Sequence, residues 1–316
     1  MKKAFEKLNL RDYGVLLGFL ALCIAISIAT PSFLGKQNIL NLLRQSSIIG
    51  IISAGMTFVI ISGNFDISVG AVAALAAAIT MKFATGGTNL FASMFLGVAI
   101  CAVIGLINGI VVAKINVPSL IATMAMVTIV RGLLLMLTGG YPITENIPIL
   151  DYIGNGYLFN IPIPVVIFFI VVLASFIVLN KTKFGRYVYS VGGNQEASKL
   201  NGINVDSHKV KVFIINAVLA GIAGIVLTGR LGTATAIAGE GYDMDAIASV
   251  VIGGTSVAGG SGSVLKTVIG VLLMSVINNS FNLLGIDVYF QYIFKGLIIL
   301  AAVGFDSYSK KKLASR

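Results

Sequence analysis

The sequence predicts an all-α polytopic membrane protein of about ten transmembrane helices, with short or interrupted helices among them. Three observations lead there. Of 316 residues, 57% are hydrophobic and only 11% charged, at a mean hydropathy of +0.98. That leaves too little polar surface to cover a soluble globule of this size. The apolar residues fall in long runs separated by Gly, Pro and polar breaks. The third observation is the placement of the +10 net charge. Lys2, Lys3, Lys7 and Arg11, then Lys181, Lys183, Arg186, Lys199, Lys209 and Lys211, then Lys310, Lys311, Lys312 and Arg316 make up most of the 22 basic residues. Juxtamembrane Lys and Arg stay on the cytoplasmic side, so the basic balance reports orientation, and no nucleic-acid partner is expected.

Along the chain, a first span covers residues 14–29 and stops at Thr30-Pro31. Its basic start and small-x-small end (Ser27, Ala29) also fit a cleaved signal peptide, but the polytopic chain downstream makes an uncleaved helix the expectation. Residues 36–46 read as an interfacial helix, with Ile39, Leu40, Leu42 and Leu43 apolar against Lys36, Gln37, Asn41 and Arg44. Span two, 48–62, breaks at Gly63-Asn64-Phe65-Asp66. Spans three, four and five cover 67–83, 92–113 and 117–137. Residues 139–161 carry Glu145 and Asp151 but no Lys or Arg, and are expected outside. Span six is 162–179 and span seven 212–228. A small-residue segment with Glu240, Asp243 and Asp245 precedes span eight, 246–254. At 1.5 Å per residue this span is too short for a core of about 30 Å, so it must be buried in protein. Spans nine (263–284) and ten (289–305) complete a single transmembrane domain, 1–316. Ten crossings put both termini and the loop 180–211 on the cytoplasmic face.

That loop contains a small object of its own. Asn194 can cap a helix of about two turns from Gln195 to Asn201, and Gly202 can close it in the left-handed conformation. Glu196 suits its N-terminus, while Ala197, Leu200 and Ile203 offer a small apolar surface. Two turns are unstable alone in water, so a partner surface is implied. A solvated loop with a chance cap fits the composition equally well.

There is a weak internal echo. Phe58 to Gly63 resembles Ser249 to Gly254, each followed by a Gly/Ser-rich break, and residues 104–108 resemble 274–278. Two related halves would suit a transporter with interrupted helices near the midplane; chance similarity between Gly- and Val-rich helices explains the echo as well.

Four segments carry a resemblance to a known family: GMTFVIISGNFDISVGAVAAL (55–75), GLINGIVVAKINVPSLIATMAMVTIVRG (105–132), FGRYVYSVGGNQEASKLNGINV (184–205) and AGEGYDMDAIASVVIGGTSVAGGSGSV (238–264). They closely resemble the permease subunits of ribose-type sugar ABC importers, over nearly the whole chain. The resemblance implies a homodimer in the lipid of a bacterial plasma membrane, a cytoplasmic ATPase that binds the ATP and Mg, and an extracytoplasmic sugar-binding protein. It implies a monosaccharide, ribose or a similar pentose, moved by alternating access. It further implies that residues 194–203 are the coupling helix, with Glu196, Ala197, Gly202 and Ile203 on the family's motif positions; the cap Asn194, with Gln195 and Leu200 of the helix itself, completes the coupling candidates. Two departures fall at the breaks: Asn64-Phe65 where the family commonly has Gly-Ile, and no Arg in the run Gly259 to Ser263.

From the residues alone, the candidates for the translocation path are Gly63, Asn64, Phe65, Asp66, Asn108, Gly253, Gly254 and Asn278, with the glycines expected to keep space open. Asp66 most simply caps the following span, and carboxylates at membrane depth also line cavities. Asn108, Asn216, Asn278 and Asn279 suit interhelical hydrogen bonds. Gly14-x-x-x-Gly18 and Gly105-x-x-x-Gly109 permit close helix approach. His208 is expected in solvent. Gly262 to Thr267 lacks the Gly directly before Lys of a phosphate loop, so no ATP site is expected in this chain. Cys23 and Cys101 lie in apolar runs and indicate neither a disulfide nor a metal. With no paired carboxylates, His cluster or nucleophile elbow, an enzyme is not expected. An ion-coupled secondary transporter or channel using Asp66 is the alternative.

Overall fold

The computed structural model describes residues 10–314; Lys2, Lys3, Lys7 and Arg316 of the basic clusters lie outside the described residues. Thirteen α-helices follow one another: α1 Leu10–Ala29, α2 Lys36–Ile61, α3 Val69–Thr85, α4 Leu90–Ala113, α5 Ser119–Thr138, α6 Pro148–Asn155, α7 Ile163–Lys181, α8 Lys183–Gly193, α9 Gln195–Leu200, α10 Val205–Leu231, α11 Tyr242–Ile252, α12 Val264–Leu283 and α13 Val288–Ala314. Six (α2, α4, α5, α7, α10 and α12) are long and apolar enough to cross a membrane, and Val15–Ala29, Val69–Thr85 and Val288–Ala301 are shorter apolar stretches. The short eighth span is α11, whose residues Asp245 to Val251 are buried, as its length demands.

The core is helix on helix. α2 is buried throughout from Ser46 to Ile61, and α10 packs along α2, α3 and α4. Small residues set the approach. A Cβ on Gly105 would stand 2.6 Å from the Phe213 carbonyl oxygen, and one on Gly109 would stand 2.7 Å from Val210 Cα. The Gly105-x-x-x-Gly109 pattern therefore seats α4 on α10, whereas Gly18 has nothing within 4 Å.

Two expectations are corrected, those for residues 36–46 and for His208. Residues 36–46 are not a separate interfacial helix but the first turns of α2. Ser46 and Ser47 turn their hydroxyls back to the Leu43 carbonyl, at 3.0 and 2.6 Å, and so stay within the helix ladder instead of capping a new one. Arg44 is covered as well: its guanidinium donates to Tyr157 Oη at 2.5 Å and lies over that ring. The stretch 139–161 folds into α6 and a hairpin, Tyr157–Leu158 with Ile161–Pro162, turned by Phe159 and Asn160 at positive φ. Ile143–Thr144 pairs antiparallel with Thr233–Ala234, and α6 lies on α10, where Gly154 and Gly229 permit backbone contact. His208 is half-buried, stacked on Phe184 at 5.7 Å and edge-on to Tyr187 at 5.1 Å.

Because the α4–α10 contact has no room for a methyl group, Gly105→Ala and Gly109→Ala should each destabilise the protein by about 1–3 kcal/mol. Gly132→Ala, at a site with nothing within 4 Å, should not. Thermal unfolding in detergent measures the difference; equal melting of all three would show that α4 and α10 do not depend on this fit.

Candidate functional site

Both breaks close the preceding helix in the same way. At the end of α2, Gly63 N–H donates to Ile60 O at 2.9 Å and Asn64 N–H to Val59 O at 3.1 Å; at the end of α11, Gly254 donates to Val251 O at 2.8 Å and Thr255 to Val250 O at 3.2 Å. Each is a Schellman motif with its glycine at C′, φ +78° for Gly63 and +87° for Gly254. These two glycines are therefore required for conformation. A Cβ would meet nothing within 4 Å at Gly254 and only Gly192, at 3.9 Å, at Gly63, so open space does adjoin both, and positive φ is a second reason for glycine at each. Gly253 is the close-packed one, with a Cβ 2.6 Å from Lys266 O.

The two breaks meet each other and α8. Gly260 N–H donates to Ile61 O at 2.8 Å, joining the second break to the end of α2. Gly192, near the end of α8, is seated against the Ile61 carbonyl, where a Cβ would collide. A Cβ on Gly259 would stand 2.8 Å from Gly192 O, and one on Gly260 2.7 Å from Gly193 Cα. Tyr189 of α8 donates its hydroxyl to Gly262 O at 3.0 Å, and burial pushes that phenol up from its ordinary pKa, so it remains a donor.

From α8 the chain passes directly into α9. Asn194 N–H donates to Ser190 O at 3.0 Å, and its side chain caps α9 by accepting from Ala197 N at 2.9 Å. The Ser190 and Ser198 hydroxyls lie 2.9 Å apart. At the far end Gly202, φ +77°, and Ile203 close another Schellman motif, onto Lys199 O and Ser198 O. Lys209 Nζ donates to Gln195 Oε1 at 3.0 Å and ties α9 to α10. Glu196, Ala197 and Leu200 face outward, Leu200 at 89% exposure, so α9 is held from behind and bare in front.

The polar candidates divide into two networks. Asp66 is 1% exposed. Its Oδ1 accepts from Ser68 N at 2.9 Å and Ser68 Oγ at 2.5 Å, and its Oδ2 accepts from Asn216 Nδ2 at 2.9 Å. Asn108 Nδ2 completes the set at Ser68 Oγ, 3.1 Å away. Asp66 thus forms an Asx-type turn ahead of α3 and a cross-link to α4 and α10. The N-cap position of α3 belongs to Ser68, and the Ile67 and Val69 N–H groups are not part of the Asp66 bonding. In the second network Asn278 Nδ2 lies 3.4 Å from Asp245 Oδ2, and Lys295 Nζ reaches Asp245 Oδ1 and Oδ2 at 3.0 and 3.1 Å. Asn279 exchanges hydrogen bonds with Asn38, at 2.8 and 3.0 Å. Of the four expected asparagines, Asn278 and Asn279 therefore bond between helices, whereas Asn108 and Asn216 bond to the break ahead of α3. Phe65 is half-buried with its N–H on Ser119 Oγ. Gly63 and Gly254 are exposed, while Asn64, Gly253 and Asn278 are buried. Sequence reasoning did not single out Lys295 or Arg131, although each is a lone cation in an apolar run, a signal of function or pairing at membrane depth.

Residues 38–303 match the family described as branched-chain amino acid transport system / permease component. The chain is also similar to the ribose import permease protein RbsC of Haemophilus influenzae, 43% identical with 93% of this chain and 94% of that protein covered. The chain belongs to the permeases of ribose-type ABC importers. This permease resembles the RbsC protein of Escherichia coli K12 at 39% identity, with 97% of both chains covered, and its L-arabinose transport system permease protein AraH at 35%, with 95% and 92% covered. No solved structure matches the permease.

Asn216→Ala removes the donor to a buried carboxylate oxygen, which should lower stability by about 1–3 kcal/mol. A fall in detergent melting temperature larger than that of Asn180→Ala, on the exposed surface of α7, is the expected reading; an equal fall would mean that the Asp66 network carries no stability.

Proposed function

We propose that this permease works as a homodimer in the plasma membrane of a bacterium, taking ribose or a similar pentose from an extracytoplasmic binding protein and passing it inward by alternating access. A separate cytoplasmic ATPase, with its ATP and Mg, drives the cycle through α9. Ten crossings (α1 to α5, α7, α10, α11, α12 and α13) put both termini and α9 in the cytoplasm, in agreement with the three basic clusters. The relatives named for ribose and arabinose support a pentose.

The observation that carries the coupling role is the way α9 is held. Its exposed Glu196, Ala197 and Leu200 form a compact knob, and its rear is continuous with α8, whose Gly192 and Tyr189 touch both breaks. A partner biases inward-facing against outward-facing states only through contacts that differ between them. A push on α9 reaches both breaks through backbone contacts, with no long side chain to absorb it. In an ion-coupled carrier Asp66 would have to release and take up its cargo, and three hydrogen bonds already occupy its carboxylate.

The test is reconstitution with the ATPase and binding protein. Pentose-stimulated ATP turnover is expected for the parent. Glu196→Ala should weaken ATPase association about ten- to hundredfold, the equivalent of one charge-assisted hydrogen bond. Gly202→Val should do more, since a β-branched residue resists positive φ and misplaces the knob. Parent-like assembly and transport by both would remove α9 from the coupling role, and gradient-driven uptake by the permease alone would favour the ion-coupled carrier.

Topology is checked separately. Single cysteines at Gln195 and Leu313 should be labelled only from the cytoplasm, and one at Asn160 only from outside; opposite labelling of the first two would end the ten-crossing arrangement.

A further inference from the structure

Neither the breaks nor α9 account for a cavity of about 570 Å³ between the start of α3, the middle of α5, residues 236–241, the first turn of α11 and α13. Its volume is that of a small-molecule site. Its floor is bare backbone: Gly70 and Gly239 lie so close that a Cβ on Gly239 would stand 2.6 Å from Gly70 O. Around that floor stand Arg131, Glu240, Asp243 and Tyr292.

A guanidinium in the interior of an apolar helix is costly and marks a water-filled or ligand-filled space. Arg131 is aimed by its own bonds, since Nη1 donates to the carbonyls of Ala236 and Ala238. A guanidinium has five N–H donors, so others remain for the cavity. Glu240 and Asp243 act on Arg131 through space, yet the ion pair found among the described residues is Lys295–Asp245, and neither cavity carboxylate is taken up in one. The cavity therefore offers the remaining donors of a held guanidinium, two carboxylate acceptors and an aromatic side chain. Hydroxyl groups both donate and accept, so a polyol matches that mixture, and a ring of C–H groups suits the face of Tyr292. Two carboxylates against one guanidinium disfavour an anion such as a sugar phosphate.

We propose that this cavity is a sugar site within the permease itself, where Arg131, Glu240 and Asp243 exchange hydrogen bonds with the hydroxyls of a neutral monosaccharide in passage while Tyr292 covers its C–H face. The inference rests on the sugar-permease reading above and adds to it a place where the permease, besides the binding protein, selects its cargo.

The test uses the assembled transporter in liposomes, with ribose, xylose, L-arabinose and leucine offered in turn. Arg131 also holds residues 236–238, so Asp243→Asn and Tyr292→Ala are the informative variants. Each should still assemble with the ATPase, lower uptake about ten- to hundredfold, and change the ratio of ribose to xylose uptake, which loss of packing alone would leave alone. If the parent takes up a sugar and both variants keep its rate and its ratio, the cavity is not a sugar site and the importer reading stands. If the parent takes up no sugar, or takes up leucine instead, the sugar reading fails and the site with it.

Discussion

Everything in this permease depends on how a helix can stop inside an apolar protein. Backbone N–H and C=O groups released at a break lose their helix partners, and wherever water does not reach them protein must meet them. Here the C-terminal carbonyls are met locally, by a glycine in the left-handed conformation after α2 and again after α11. One further bond, Gly260 N–H to Ile61 O, then joins the two breaks. Such a joint works only without side chains, so Gly192, Gly193, Gly259 and Gly260 stack main chain on main chain. The same joint receives α8, which is how an exposed two-turn helix comes to be connected, through α8, to both interrupted segments.

The buried carboxylates show two different solutions to one cost. Asp66 is surrounded by neutral donors, Ser68 and Asn216, whose three hydrogen bonds occupy both of its oxygens. Asp245 instead has a cation, Lys295, from the last helix. A buried ion pair need not add net stability, because desolvation offsets the attraction, but it does fix which groups face each other. The pair locks the orientation of α11 against α13, at the helix whose first turn borders the cavity around Arg131. Polar chemistry in this chain thus sets geometry where packing of Ala, Gly and Val would leave helices free to rotate.

What was legible in the sequence was what is local. The ends of α4, α5, α7 and α12 lie within two residues of expectation because Gly, Pro and Asn punctuate them. α9 was legible in full because its cap, Asn194, and its closing glycine, Gly202, are short-range signals. α8 was hidden: its apolar residues Phe184, Val188 and Val191 follow helical spacing, but among Lys, Arg and Ser they average to a polar loop. The continuity of α2 was equally hidden, since Arg44, Ser46 and Ser47 read as a polar end, while the Tyr157 that covers Arg44 lies 113 positions away and the two serine hydroxyls bond back to Leu43. Asp66 was legible as important, and its sealed surroundings were not, because Asn108 and Asn216 come from other helices.

α10 has a consequence of another kind. Its 27 residues make a rod of about 40 Å, longer than the hydrocarbon layer is thick. One end adjoins α9 through Lys209 and Gln195, and the other carries α6 through Gly229. An unbroken helix of that length acts as a strut: a tilt of one degree displaces an end by about 0.7 Å relative to the other. The two ends of α10 are therefore joined by one stiff element, which carries a tilt at one end to the other as leverage, without any relay of side chains between them.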